Sequence, residues 1–182
     1  MGLCLEVDEN NKVIGLCEFT KVQELNKIHR SSHLLLQNSK GEFMIHKRAP
    51  NRYWYPNLYA YSISGTVKNE SYIDNINIEM KEELGISIPV KLLFIYKYFD
   101  TIDKSFHALF FGITDKNLTP DPNEISELKW FSPEKLKEDI KDNPEKYVPH
   151  VIYGLNKYFN EIHNKEKINP YENKLNDDKP LK

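Results

Sequence analysis

The order of apolar patterns along the chain predicts an α/β fold in which helices flank a mixed central sheet. Strand-like runs fill the first third, an amphipathic helix follows at 71–84, and two more strand-like runs at 90–99 and 105–114 precede two C-terminal helical segments. Strands with one internal helix and terminal helices pack well as helical layers on the faces of one sheet. The sequence therefore predicts an α/β/α sandwich.

Length, composition and charge are those of one compact domain with a polar tail. The chain has 182 residues, of which 40% are hydrophobic and 29% charged, and its formal net charge is −2. We expect a single domain at 1–165 and a loose tail at 166–182, where core-forming residues are few. The balanced charge gives no reason to expect a nucleic acid polymer or an anionic membrane as partner.

The N-terminal sequence and the two cysteines predict a cytoplasmic protein. The start, MGLCLEVDENNKVIG, lacks the basic and apolar regions of a secretory signal, and no apolar run approaches the ~20 residues of a membrane span. Cys4 and Cys17 lie in apolar contexts, which favours buried, reduced thiols.

The N-terminal third is predicted to contain mostly strands and turns. LCLEV and VIGLCEF flank the turn DENNK, and SHLLLQNSKGEFMIHKR has the pattern of a hairpin with its turn at 38–41. The polar stretch TKVQELNKIHR suits a short helix. Pro50 and Pro56 make 49–57 a loop, and the alternation in LYAYSIS predicts a strand that leads into Gly65.

The helices carry start and stop signals. Ser71 with Asp74 three residues later fits a capping box, and Gly85 is a typical residue just past a helix end. Ser132 before Pro133 marks the start of a second helix. VIYGLNKYFNEI predicts the final one.

The central helix places carboxylates at the edge of its apolar face. At ~100° per residue one face carries the apolar residues Ile73, Ile76, Met80 and Leu84. Glu79 and Glu83 lie together beside this face, and Glu82 lies further round. A divalent cation would remove the repulsion between them, because hard cations prefer carboxylate oxygens. From the helix alone, a solvated acidic face is the alternative interpretation.

The stretch from Gly65 to Ile86 resembles the Nudix box, G-x5-E-x7-R-E-U-x-E-E-x-G-U, in which U is a bulky apolar residue. Glu70 and Glu79 are nine apart, as in the box, and EMKEELGI matches its second half at every fixed position. The segment between Gly65 and Glu70 is one residue shorter than in the box, and Ile78 stands where the box has arginine.

The similarity extends beyond the box, over roughly residues 5–155. Three further segments resemble the branch of the superfamily that contains isopentenyl-diphosphate isomerase and its hydrolase relatives. They are VDENNKVIG, MIHKRA and EISELKWFSPEKLKEDIKDNPEKYVP. The resemblance implies a Nudix-type α/β/α sandwich, with the box on a loop–helix–loop beside a mixed sheet. It also makes a homodimer a reasonable expectation.

In Nudix hydrolases the box glutamates bind Mg²⁺ or Mn²⁺, so the resemblance implies such a site here. Glu79 and Glu83 would be the principal ligands, and Glu82 a further ligand or the residue that orients water. Glu70 would support the loop or bind a second ion. Family members often supply one more catalytic carboxylate from a later loop. Glu124 is the candidate, with Glu127 second, although both could be exposed charges at a strand entry.

Arg48 and Arg52 are candidates for binding the diphosphate. A basic pair with this spacing holds the substrate in the isomerase branch, and the guanidinium fork suits phosphate oxygens. Two surface cations are the alternative. Tyr53, Trp54 and Tyr55 would stack on a base, cover an isoprenoid or cap the core.

The histidines receive no functional role from the sequence. His29 and His33 are four apart, which would suit a metal pair on a helix. However, SSHLLLQN has the pattern of a strand, so we expect core or surface histidines. His46 and His107 are isolated in the sequence.

The sequence thus predicts a metal-dependent Nudix hydrolase that converts X–P–P–Y to X–P and P–Y. Its substrate would be a nucleoside diphosphate derivative or a similar small metabolite. A module that binds such a ligand without turnover is an alternative, because of Ile78. The isomerase is disfavoured, since Ser62-Ile63-Ser64-Gly65 lacks the cysteine and histidine of that enzyme.

Overall fold

The computed structural model describes residues 2–163, which form nine strands and three α-helices. The strands are β1 Leu3–Val7, β2 Val13–Glu18, β3 Ile28–Gln37, β4 Phe43–Arg48, β5 Tyr59–Ala60, β6 Ile63–Thr66, β7 Lys91–Phe99, β8 Lys104–Ile113 and β9 Ile125–Phe131. The helices are α1 Tyr72–Leu84, α2 Pro133–Asp142 and α3 Pro149–Tyr158, and the last continues as a π-helical turn, Phe159–His163. The expected tail at 166–182 lies outside the described residues.

Strand β3 is the centre of a mixed sheet. It pairs in parallel with β8 along nearly its whole length, and on its other side it pairs antiparallel with β1 and then with β6. The outer pairs β1–β2 and β7–β8 are antiparallel. Strand β4 meets β3 at the hairpin and pairs with β5 and β9. The expectation of a mixed sheet is confirmed.

Alternate residues of β3 serve two hydrophobic layers. Leu34 and Leu36 belong to the layer that packs under α1, whereas Leu35 belongs to the layer that α2 and α3 cover. All three leucines are completely buried. Because helices cover both faces of the sheet, the predicted α/β/α sandwich is confirmed.

The predicted helix ends agree with the structure. The Ser71 hydroxyl accepts a hydrogen bond from the Asp74 N–H at 3.2 Å, and Gly85 ends α1 in the left-handed conformation, with φ of 67°. Ser132 caps α2, and Pro149 begins α3. Within residues 2–163, no helix has the combination of length and apolar character that crossing a membrane requires.

The expected helix in TKVQELNKIHR is wrong. The structure has a 3₁₀ turn at Phe19–Lys21, then turns, and residues 28–30 already belong to β3. Pairing of His29 with Glu6 of β1 brings these last residues into the sheet. The stretch also lacks a continuous apolar face that would stabilise a helix.

The strand expected in LYAYSIS is interrupted at Ser62. The Ser62 hydroxyl accepts a hydrogen bond from the Leu36 N–H at 2.7 Å and donates one to the Met44 carbonyl at 2.6 Å. This side chain bridges β3 and β4 where the two strands separate. The chain therefore pairs with β4 before Ser62 and with β3 after it.

Candidate active site

A cavity of about 250 Å³ lies where β3, β6, α1 and the 49–57 loop meet. Nine of the arginines, aromatic residues and carboxylates that the sequence singled out line it: Arg48, Arg52, Tyr53, Trp54, Tyr55, Glu79, Glu82, Glu83 and Glu124. Glu70, on the loop before α1, and Glu127 are not among the lining residues.

The α1 carboxylates lie in an environment that disfavours their negative charge. Glu83 is 3% exposed, and burial, together with the nearby Glu79, raises its pKa well above the usual range. Burial also raises the pKa of Glu79 to about 7. Oε2 of Glu83 is buried and has no hydrogen-bond partner within residues 2–163. A cation between the two groups would favour their ionised forms and provide this oxygen with a partner.

Gly65 lets β6 approach the Glu79 side chain closely. A Cβ atom at this position would lie 2.3 Å from Cγ of Glu79 and 2.5 Å from its Oε1. Any other residue would displace the carboxylate or the strand. The glycine therefore keeps the Glu79 side chain in place beside the cavity.

Glu70 holds the loop that precedes α1. Its carboxylate accepts hydrogen bonds from the N–H groups of Lys68 (3.0 Å) and Asn69 (2.9 Å) and from Nδ2 of Asn75 (2.8 Å). Burial raises the pKa of Glu70, but these hydrogen bonds lower it more, so the net change is downward. Both carboxylate oxygens thus accept hydrogen bonds from the loop and from Asn75.

Asn75 is a positioning residue that the sequence analysis missed. It is 1% exposed, and its Nδ2 also lies 3.2 Å from the Thr66 carbonyl oxygen and 3.4 Å from Oε1 of Glu79. It therefore connects the loop, β6 and the carboxylate. Ile78, in the position of the box arginine, is 41% exposed. The spacing of four between Asn75 and Glu79 was the available signal, since such residues share a helix side.

Glu124 reaches the cavity because its loop is fixed at two points. The Glu124 carbonyl accepts a hydrogen bond from the Ala49 N–H, and the Asp121 N–H donates to the Glu83 carbonyl, both at 2.9 Å. The Glu124 carboxylate forms an ion pair with Arg52. Glu127, the second candidate, instead accepts a hydrogen bond from the Tyr59 hydroxyl at 2.9 Å and does not line the cavity.

The two arginines form a positively charged part of the cavity next to the carboxylates. Nε of Arg48 donates to the Trp54 carbonyl at 3.0 Å, and within residues 2–163 its terminal nitrogens have no hydrogen-bond partner. Burial and the neighbouring Arg52 lower the pKa of Arg48, but guanidinium stays protonated at neutral pH. Free donors on a partly desolvated cation suit an anionic ligand.

One wall of the cavity is aromatic. The Trp54 ring lies 4.6 Å from that of Phe19 and 5.7 Å from that of His29, measured between centroids. Behind it are the buried thiols of Cys4 and Cys17, which are free, as expected. This wall can contact an apolar or planar group of a ligand whose phosphates face the arginines.

The sequence also did not indicate that His33, His150 and Asp103 line another wall of the cavity. These residues come from β3, from the first turn of α3 and from the segment before β8. Sequence spacing could not bring them together, because their contact depends on the pairing of β3 with β8 and on the docking of α3.

Comparison with known proteins gives one consistent family. The NUDIX domain model matches residues 27–151. The prenyl-diphosphate phosphatase of Methanosarcina mazei is 34% identical over 160 residues, covering 86% of this chain and 94% of that protein. The isopentenyl-diphosphate Delta-isomerase of Nocardia farcinica is 25% identical, covering 79% and 86%. A crystal structure of the Deinococcus radiodurans protein DR0079 matches with a TM-score of 0.75 and 24% identity, covering 85% and 98%, which is a likeness of fold.

Proposed function

This chain belongs to the Nudix hydrolase family, and we propose that it hydrolyses the diphosphate of a prenyl diphosphate with Mg²⁺ held by Glu79 and Glu83. One observation carries the proposal. A continuous cavity joins the paired arginines and α1 carboxylates to the aromatic wall of Trp54. A ligand with a diphosphate at one end and a hydrocarbon at the other is complementary to both parts.

The donor set fits Mg²⁺ or Mn²⁺. The converging groups are carboxylate oxygens, and Oε2 of Glu83 is buried without a hydrogen-bond partner in the described part of the chain. The raised pKa values of Glu79 and Glu83 indicate a need for compensating positive charge. When bound, the ion would neutralise phosphate charge and lower the pKa of a bound water. Glu82, exposed on the same helix, would complete the ligand set or orient that water.

The chain's own residues supply the other parts of the reaction. Arg48 and Arg52 would bind the phosphate oxygens, and Glu124 would accept the proton of the attacking water. Glu124 is close enough to Glu79 and Glu83 for its charge to raise both their pKa values, and burial raises its own pKa, which strengthens it as a base. Water adds to one phosphorus, the P–O–P bond breaks, and prenyl monophosphate and inorganic phosphate leave.

The aromatic wall and the relatives favour a prenyl group over a nucleoside. The similar protein of M. mazei is a prenyl-diphosphate phosphatase, and the rings of Phe19 and Trp54 offer an apolar surface to a hydrocarbon chain. A nucleoside diphosphate derivative is the second candidate. The observation in its favour is the ring of Tyr53, 61% exposed at the cavity rim, on which a base could stack.

Two broader predictions accompany this function. The free thiols of Cys4 and Cys17 support a cytoplasmic location, where thiols stay reduced. The family resemblance supports a homodimer. Subcellular fractionation and light scattering test these two points independently of the reaction.

A turnover assay on a substrate panel tests the proposal. The panel contains isopentenyl, geranyl and farnesyl diphosphates beside ADP-ribose and a dinucleoside polyphosphate, each with Mg²⁺ and with EDTA. We expect Mg²⁺-dependent phosphate release, with kcat/KM at least ~10-fold higher for a prenyl diphosphate. Glu83→Gln should lower kcat ~100-fold or more, as loss of an electrostatic catalytic group does.

The matched control is Glu138→Gln, on the exposed side of α2, which should have wild-type activity. Preferred cleavage of ADP-ribose would favour the nucleoside alternative. Tight binding of a panel compound without turnover would favour a binding module, and isomerised isopentenyl diphosphate would favour the isomerase.

A further inference from the structure

Three histidines from distant parts of the sequence meet beside the cavity, and two of them, His33 and His150, line it. His33 lies on β3, His107 on β8 and His150 in the first turn of α3. One ring nitrogen of each lies within 4.8 Å of the others, and Nε2 of His33 is 2.8 Å from Nδ1 of His107. His33 and His107 are almost completely buried, and His150 is partly exposed to the cavity.

The second nitrogen of each ring lies next to an oxygen. His33 Nδ1 is 3.0 Å from Ser64 Oγ, His107 Nε2 is 2.8 Å from Ser105 Oγ, and His150 Nδ1 is 2.9 Å from Asp103 Oδ2. Metal-binding histidines show this pattern, because an oxygen partner on one nitrogen fixes the tautomer that directs the other toward the ion. For His33 and His107 the oxygen partner is a hydrogen-bonded serine hydroxyl, whereas Nδ1 of His150 lies close to Asp103 but forms no hydrogen bond within residues 2–163.

The charge around the cluster also favours a cation. The Asp103 side chain is 4% exposed, and the rings of His107, at 3.5 Å, and His150, at 2.9 Å, lie next to its carboxylate, with His29 further away. His33 and His107 are almost completely buried, and burial disfavours the charged form of an imidazole. A bound cation would stabilise the buried Asp103 carboxylate beside them.

We propose that His33, His107 and His150, with Asp103 beside them, form a second metal site for a borderline divalent transition metal such as Zn²⁺. Imidazole nitrogen suits Zn²⁺, Co²⁺ or Ni²⁺, whereas Mg²⁺ prefers oxygen ligands such as those of Glu79. The cavity then holds two sites of different ligand chemistry. The proposal does not depend on the hydrolytic reaction.

The histidine rings must turn to bind such an ion, because His107 and His150 now lie stacked with centroids 4.5 Å apart and planes at 26°. A tetrahedral ion with bonds to nitrogen of about 2.0–2.1 Å requires ligand atoms about 3.3 Å apart. The nitrogens of His33 and His107 are 2.8 Å apart, and one nitrogen of each ring lies within 4.8 Å of the others, so the distances are close to this value. Binding replaces the hydrogen bond between His33 and His107. It also joins β3, β8 and α3 through one ion, so it should raise the melting temperature.

Titration of the metal-free, full-length protein with Zn²⁺ by calorimetry and with Co²⁺ by visible absorption tests the site. Saturating Mg²⁺ is present throughout to occupy the glutamate site. We expect one Zn²⁺ per chain, a Co²⁺ spectrum with the d–d bands of nitrogen ligation, and a higher melting temperature with Zn²⁺. Glu79→Gln should leave all three unchanged.

The informative variant is His150→Gln, because His150 is the most exposed member and its replacement is least disruptive to the core. It should weaken Zn²⁺ binding at least ~10-fold, the scale on which metal sites respond to loss of supporting groups. His46→Gln is the matched control, since His46 is buried outside the cluster and bonds to the Ser62 carbonyl.

Three results would overturn the proposal. One is Zn²⁺ affinity that is unchanged in folded His150→Gln, and another is Zn²⁺ binding that disappears in Glu79→Gln. The third is a wild-type protein that binds neither Zn²⁺ nor Co²⁺ in excess Mg²⁺, which would leave Asp103 paired with a proton on His150. The wild-type Co²⁺ spectrum decides the question even if a histidine variant does not fold.

Discussion

Replacing Glu79 by glutamine is expected to stabilise the metal-free protein at alkaline pH and to remove its stabilisation by Mg²⁺. Glu79 is partly buried on α1, and its pKa rises from 4.5 to about 7, chiefly through burial. Its neighbours Glu82 and Glu124 add to the rise. Glutamine keeps the shape and can accept the weak hydrogen bond from Asn75, but it carries no charge to bury.

The size of the effect follows from the pKa difference between folded and unfolded protein. The folded state binds the Glu79 proton more tightly than the unfolded state does. This proton therefore contributes its full share of the free energy of unfolding below pH 4.5, and the contribution is lost as the pH rises through about 7. A difference of one pKa unit is worth about 1.4 kcal/mol, so the free energy of unfolding of the wild type should fall between these pH values by about 3 kcal/mol more than that of the variant. Because metal binding requires the ionised carboxylate, Mg²⁺ should stabilise the wild type much more at pH 8 than at pH 5.

Urea unfolding of the metal-free protein at pH 5 and pH 8, with and without Mg²⁺, measures both effects. The control is Glu138→Gln, which removes a carboxylate from the exposed side of α2, away from Glu79, and should preserve the pH dependence of the metal-free protein. A Glu79→Gln variant that loses as much stability as the wild type between the two pH values would refute the assigned pKa. Equal stabilisation of both proteins by Mg²⁺ would refute the assignment of Glu79 as a ligand.

Three further substitutions test the geometry of the cavity. In Gly65→Ala the new Cβ would meet the Glu79 side chain, and small displacements of catalytic groups are costly, so kcat should fall about 100-fold. The circular dichroism spectrum should be unchanged, and a wild-type kcat would contradict the close approach of Gly65 to Glu79. Arg52→Gln should raise KM about 10-fold or more through loss of charge-assisted hydrogen bonds, whereas a change in kcat alone would assign Arg52 to holding Glu124. Trp54→Ala should raise KM for farnesyl diphosphate about 10-fold and hardly change KM for inorganic diphosphate; equal changes for both would contradict an apolar contact with the substrate.

The parts of the fold that the sequence predicted are those with local signals. The ends of α1 follow from the hydroxyl of Ser71 and the conformational freedom of Gly85, each acting within one helical turn. The grouping of Glu79 and Glu83 likewise follows from helical spacing alone. Because these features depend on neighbours three or four residues away, they can be inferred without knowledge of the tertiary structure.

The features that the sequence did not predict depend on contacts between distant segments. The break at Ser62 arises because its hydroxyl bridges β3 and β4, which no alternation of apolar residues can indicate. His107 has no unusual sequence context, yet the pairing of β3 with β8 places it beside His33. Docking of α3 then adds His150.

Asn75 shows how the site can differ from the box pattern without losing its organisation. The box arginine is replaced by the exposed Ile78, but the buried Asn75 amide reaches both Glu70 and Glu79. The carboxylates therefore have a local support that does not depend on position 78. This arrangement favours a working hydrolase over a module that has lost its catalytic geometry.

Identification of the products formed in H₂¹⁸O tests the central claim most directly. The metal-loaded enzyme is incubated with the prenyl diphosphate that it cleaves fastest, and the products are analysed by mass spectrometry. Attack at phosphorus predicts prenyl monophosphate and inorganic phosphate, with ¹⁸O in one of the two phosphates and none on carbon. Prenyl alcohol that carries ¹⁸O on carbon, or an isomerised diphosphate without ¹⁸O, would contradict hydrolysis of the P–O–P bond at this site.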